Sequence, residues 1–207
     1  MNRKGFIAGV VTGLVTILLL GGCNFMSQNK AQPKSDPPQA PQATDSVGKN
    51  KKILIAYFSY EGNTKAFAES IQKQVGGDLF AIEPQDAYPK NRDATIEQTK
   101  SQVESKYKPK LTNKVADIRS YDVIFIGTPI WWYTISPPVR TFLSEYDLAG
   151  KTVVPFSTHK GSGLSGIDKT IKEIHPTANV LEGLAIGDGQ VNSKQADISK
   201  WLQKLKL

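Results

Sequence analysis

Short, continuous apolar runs alternate along this chain with segments whose apolar residues recur three or four positions apart. Residues 52–58 (KILIAYF) are a run of aliphatic and aromatic side chains, which predicts a strand buried on both faces. In residues 63–75, Phe67, Ile71 and Val75 stand four apart on one face of a predicted helix, and Gly76-Gly77 closes it. Residues 78–83 (DLFAIE) predict a second strand, followed by an irregular stretch at 84–89. Residues 92–107 are polar and carry no clear apolar stripe, so only partial helix is expected there. Residues 121–127 (YDVIFIG) predict a third strand, and a loop at 128–138 leads into a helix carrying Val139, Phe142, Leu143 and Tyr146. A fourth strand (152–156), a glycine-rich loop, a helix (167–174), a fifth strand (179–186) and a closing helix (193–205) complete the pattern.

Strands that are apolar throughout, alternating with helices, imply a parallel sheet covered on both faces. Five of them in this length predict a three-layer, doubly wound α/β domain. Ligands of such domains sit beyond the carboxyl ends of the strands, near the switch in strand order. The loops after strands one, three and four are therefore the informative ones.

The first residues change the picture of where the domain resides. Arg3 and Lys4 precede a mostly apolar stretch at 6–20, and Leu20-Gly21-Gly22-Cys23 follows it. The stretch is shorter than the roughly 20 residues that span a bilayer as a helix. Residues 1–23 read as a secretory signal peptide whose end resembles the bacterial lipobox, with Cys23 as the acyl acceptor. Residues 24–50 contain Pro33, Pro37, Pro38 and Pro41 among small polar side chains and read as a disordered tether. The expected location is the extracytoplasmic face of the cell membrane, held by a lipid anchor. Cys23 is the one cysteine, so the domain at 51–207 has no intrachain disulfide. That domain carries 21 Lys and Arg against 17 Asp and Glu. Its charges are interspersed without aromatic–basic interleaving, which argues against nucleic-acid binding.

Ser59-Tyr60-Glu61-Gly62-Asn63-Thr64 joins strand one to its helix. Hydroxyls at Ser59 and Thr64, a glycine and free N–H groups at a helix start form a cradle for a phosphate. The loop lacks the Gly-Lys-Ser/Thr of a triphosphatase and the Gly-x-Gly-x-x-Gly of a dinucleotide fold, which points to a monophosphate. It also suits plain turn-and-cap duty. Glu61 would repel a phosphate unless its side chain turned away. Thr128-Pro129-Ile130-Trp131-Trp132-Tyr133 places three aromatics after strand three, flat rings suited to stacking on a heterocycle, with at least one expected to serve the core instead. Ser157-Thr158-His159-Lys160-Gly161-Ser162-Gly163 follows strand four, and its glycines permit close approach. His159 has no companion ligands at metal-binding spacing, and no catalytic constellation of side chains is evident.

These loops together resemble those of the flavodoxin family, over nearly all of residues 51–207. The strongest match is Gly127-Thr128-Pro129-Ile130-Trp131-Trp132-Tyr133 with Pro137 and the helix after it. The resemblance implies a flavodoxin-like three-layer, doubly wound five-stranded parallel sheet that holds FMN non-covalently. Ser59, Glu61, Gly62, Asn63 and Thr64 would border the phosphate. Pro129, Ile130, Trp131, Trp132 and Tyr133 would border the ring, and Thr158, His159, Gly161, Ser162 and Gly163 would close its other edge. Glu61-Gly62 stands where the family commonly has Thr-Gly, and this domain is basic where soluble members are usually acidic.

The function so implied is electron transfer between FMN and a redox partner protein or a small acceptor such as a quinone. An FMN-dependent quinone or NAD(P)H reductase is the alternative, and a cofactor-free surface binding module is a third.

Overall fold

A computed structural model describes residues 51–207. Cys23, the expected signal peptide at 1–23 and the expected tether at 24–50 lie outside the described residues. The first elements are β1 (Ile53–Tyr57), α1 (Asn63–Val75), β2 (Asp78–Ala81) and α2 (Arg92–Glu104). They are followed by β3 (Val123–Trp131), β4 (Thr134–Ile135), α3 (Pro137–Glu145) and β5 (Thr152–His159). The chain ends with α4 (Ile167–Ile174), β6 (Asn179–Val180), β7 (Leu184–Gly187) and α5 (Gln195–Leu205).

The main sheet runs β2-β1-β3-β5, with β6 and β7 sharing the position beyond β5, and every pair in it is parallel. The five-stranded, doubly wound expectation holds. Successive side chains of β1 explain its unbroken apolar run. Ile53, Ile55 and Tyr57 enter one core with Phe67 and Ile71 of α1 and Ile198 and Trp201 of α5. Leu54, Ala56 and Phe58 enter the other with Val139, Phe142 and Leu143 of α3 and Ile167 and Ile171 of α4. A strand buried on both faces cannot alternate apolar with polar residues.

Four boundaries differ from the sequence expectation. The third strand continues past Gly127 to Trp131, because Thr128 and Pro129 stay in register with Ser157 and Thr158 of β5. The fourth strand likewise continues to His159. The fifth is broken into β6 and β7, and Pro155 of β5 supplies the reason. A Cβ on Gly183 would lie 2.6 Å from the Pro155 carbonyl oxygen, so that carbonyl faces the broken stretch. Backbone N–H and C=O of one strand residue point to the same side, so the donor that proline lacks is one this neighbour would have used. The closing helix begins at Gln195, after a 3-10 turn at Val191–Lys194.

Within 92–107, expected to be partly helical, Arg92–Glu104 form one three-and-a-half-turn helix. Its start is fixed by Asn91, whose side-chain oxygen accepts from the N–H groups of Asp93 and Ala94, both at 3.0 Å. Its buried residues are Thr95 and Thr99, not aliphatics.

Candidate functional site

The carboxyl ends of β1, β3 and β5 open onto one cleft of about 260 Å³. The loop after β1 supplies Ser59, Tyr60, Glu61, Asn63 and Thr64 to its lining. The end of β3 and its turn supply Pro129, Ile130, Trp131 and Trp132, and the end of β5 supplies Thr158, His159 and Lys160. The remaining wall is α2 and the residues before it (Lys90, Arg92, Thr95, Ile96 and Thr99), with Asp188 beyond β7.

The loop after β1 turns tightly into α1 and leaves N–H groups free. Gly62 has φ +89°, a left-handed conformation that lets the chain turn into α1 without a side-chain cap. Ser59 Oγ accepts from the Lys65 N–H at 3.2 Å, closing the loop on itself. The N–H groups of Gly62, Asn63 and Thr64 meet no acceptor among the described residues. They sit at the positive end of a thirteen-residue helix. Thr64, 1% exposed, shares a hydrogen bond with Thr158 at 2.8 Å, so the cradle is tied to the end of β5. The Asn63 side chain accepts from the Gly189 N–H at 3.0 Å, which ties it to the segment after β7.

Glu61 does not stand uncompensated. Lys160 Nζ lies 3.6 Å from its carboxylate and 4.0 Å from that of Asp188. The cation thus sits between two acids, all three at least partly exposed, so the pairs are screened and serve mainly to hold three loops in register. Burial raises the Asp188 carboxyl above its ordinary value, with Lys160 opposing that shift and Glu61 adding to it.

At the other end, β3 and β4 form a hairpin whose two central residues are Trp132 (φ +50°) and Tyr133 (φ +61°). Left-handed backbone at both positions is the conformation of a type I′ turn, ordinarily made by asparagine and glycine. The three aromatics then separate by role. Trp131 is locked edge-on among Phe58, Tyr60 and Tyr88, with ring centroids 5.5, 5.9 and 4.9 Å away. Trp132, 42% exposed, lines the cleft and donates its indole N–H to Thr99 Oγ1 at 3.2 Å. Tyr133 is 78% exposed and lies outside the lining.

The cleft therefore gathers Ser59, Glu61, Asn63, Thr64, Pro129, Ile130, Trp131, Trp132, Thr158 and His159 from the residues expected from sequence. It leaves Gly62, Tyr133, Gly161, Ser162 and Gly163 outside the lining. Gly62 acts through its backbone turn. Gly161 donates its N–H to His159 Nδ1 at 2.9 Å, and the carbonyls of Ser162 and Gly163 accept from Ser165 and Ser157, so this loop is closed on itself.

Sequence reasoning missed the α2 wall, Tyr60 and Asp188. Tyr60 donates its hydroxyl to the Pro89 carbonyl and lies 3.1 Å from Thr95 Oγ1, clamping the start of α2 to the loop after β1. A signal was present. Thr95 and Thr99 stand four apart, a buried helix stripe written in hydroxyls and overlooked when only apolar residues are scanned.

The likeness to known proteins covers the same residues. The family model described as flavodoxin matches residues 52–205. A solved structure from Bacteroides eggerthii, described as that of a flavoprotein, is 34% identical with a TM-score of 0.68. The alignment covers 76% of this chain and 99% of that one. A flavoprotein from Lactobacillus acidophilus, solved in complex with FMN, is 26% identical with a TM-score of 0.57, over 72% of this chain and 99% of that one. Among curated proteins none matches. With the doubly wound sheet, the cleft at its carboxyl edge and a family match across the whole described domain, the chain belongs to the flavodoxin family.

Proposed function

We propose that the cleft binds FMN and that the protein carries electrons through it. The observation that carries this reading is the placing of unpartnered loop N–H groups and an exposed indole in one cleft. The donors suit a phosphate, whose oxygens accept from several N–H groups at once at the positive end of a helix. Ser59 and Thr64 add hydroxyls at the same end. Trp132 offers a flat face whose orientation is fixed by Thr99, suited to stacking on a conjugated ring. When bound, FMN supplies the redox chemistry, and the protein positions its ring and tunes its surroundings. The FMN complex of the Lactobacillus acidophilus relative supports the same cofactor. The test is the absorption spectrum of the purified protein after FMN addition and gel filtration. A flavin band that travels with the protein is the expected result, and a colourless protein peak removes the reading.

The location is proposed on the sequence alone. Cys23, ending Leu-Gly-Gly-Cys after a basic and then apolar stretch, is taken as the lipidated residue, with residues 24–50 as the tether. Cys23→Ala is expected to move the protein from the membrane fraction to the soluble or secreted one, with its flavin content unchanged. A variant that still sediments with membranes through detergent-free washes would remove the lipid anchor from this account.

A further inference from the structure

The charge excess of the domain is confined to one part of it. Residues 90–114 contain seven Lys and Arg (Lys90, Arg92, Lys100, Lys106, Lys108, Lys110, Lys114) against three acids (Asp93, Glu97, Glu104). The rest of residues 51–207 is balanced, with 14 of each sign. This segment is α2 and the strap after it, which the Pro84–Leu111 bridge holds against the segment following β2.

The exposed large apolar side chains of the described residues lie on this segment or on the turn hydrogen-bonded to it. There are four: Ile96 (39% exposed), Tyr107 (46%), Trp132 and Tyr133. Ile96 and Tyr107 lie within the segment. Trp132 is hydrogen-bonded to Thr99 and has Lys100 Nζ 5.9 Å from its ring centroid, and Tyr133 follows it in the turn. Helix spacing puts Arg92, Ile96 and Thr99 on the side facing the cleft, with Lys100 at its margin. An aromatic and aliphatic centre bordered by charge is the composition of a docking surface, and here Lys90, Arg92, Ile96 and Trp132 line the cleft itself.

We propose that this face docks the acidic surface of a soluble electron-transfer protein, bringing its redox centre to the cleft mouth. The proposal rests on the FMN reading of the cleft and adds the partner's charge and place of contact. A protein fits better than an anionic membrane for two reasons. Asp93, Glu97 and Glu104 are interspersed with the bases, and a uniformly negative sheet would repel them, whereas a protein can set its own bases opposite. Trp132 is also tied down by its bond to Thr99 and is not free to insert among lipids.

The test uses two haem proteins of opposite charge as probes, acidic cytochrome b5 and basic cytochrome c, mixed with the reduced, FMN-loaded protein. Each ferric haem takes one electron and becomes ferrous. One fully reduced cofactor thus serves two haems and releases its protons to solvent. Reduction of cytochrome b5 is expected to be fast at low salt and to slow about tenfold at high salt, and cytochrome c is expected to show the opposite trend. The combined variant Lys100→Glu, Lys108→Glu and Lys110→Glu, whose side chains stand outside the cleft lining, is expected to lower the low-salt rate with cytochrome b5 about tenfold while the flavin spectrum stays the same. Calorimetric binding of cytochrome b5 to the unloaded protein should be lost in the same variant. Equal rates for both haem proteins, or a combined variant that still binds and reduces cytochrome b5 normally, overturn the proposal. Sedimentation with phosphatidylglycerol vesicles that only the combined variant loses, with cytochrome b5 kinetics unaffected, would assign the face to membrane instead. A missing flavin band reports failure of the cofactor reading, and the calorimetric experiment still judges the docking face.

Discussion

Replacing Phe156 with alanine is expected to destabilise the folded domain by about 3–5 kcal/mol, read as a lower denaturant midpoint with an unchanged slope. Phe156 lies on β5 and is fully buried, with its ring 4.9 Å from that of Phe67 in an edge-to-face arrangement. The same ring rests on Gly127 of β3, where a Cβ would come within 2.2 Å of Phe156 Cζ and 2.8 Å of Tyr57 Cβ. Gly127 is therefore required by close packing against a neighbouring side chain. Gly127→Ala alone should be destabilising by about 1–3 kcal/mol through overcrowding. Combined with Phe156→Ala, its methyl group enters space the ring has vacated, so the double variant should be more stable than the sum of the singles implies. Strict additivity in that cycle would mean that the ring is not what reserves the glycine. The consequence reaches the cleft, because Thr128 and Pro129 directly follow Gly127 and set where the Trp131–Trp132 tip stands.

Trp132→Ala should weaken FMN binding by about 1–3 kcal/mol, roughly 5- to 150-fold, the range found for planar rings stacked on an aromatic side chain. Flavin fluorescence titration measures it directly. Tyr133→Ala, one residue further along the same turn, should change the affinity less than about twofold, because its side chain is mostly exposed and outside the lining. Thr99→Val tests orientation separately from area. It leaves the indole present but removes the acceptor that fixes it, so a loss intermediate between those two variants is expected. Equal effects of Trp132→Ala and Tyr133→Ala would show that the turn, and not the Trp132 ring, makes the contact.

Much of this architecture was legible because the information lies within each segment. The runs at 53–58 and 123–127 are strands because a strand between two layers buries consecutive side chains on both of its faces. Phe67, Ile71 and Val75 mark α1 for the equally local reason that four residues bring a side chain back to the same face. The free N–H groups between Ser59 and Thr64 could be anticipated because a loop entering a helix offers them whatever the remainder of the chain does.

The features that escaped reading depend on partners distant in sequence. Thr128 and Pro129 look like the beginning of a loop until Ser157 and Thr158 are seen pairing with them. The fifth strand looks continuous until Pro155 is found beside it without an N–H to offer. Helix α2 looks unremarkable because its buried face is Thr95 and Thr99, whose hydroxyls are satisfied by the Pro89, Asn91 and Ile96 carbonyls, with Tyr60 and Trp132 set against them. Polar residues can be buried once their hydrogen bonds are met, and whether they are met is invisible along the chain.

Local patterns along the chain therefore suffice for the order of strands and helices, the doubly wound class and the edge of the sheet where the cleft lies. It took the packed molecule to show that Trp131 and Trp132 line the cleft while Tyr133 does not, that Lys160 stands between Glu61 and Asp188, and that α2 closes the site. Local periodicity reports which way a side chain leaves its own backbone. The residue it meets there is set by segments far away in the chain, and no single segment carries that information.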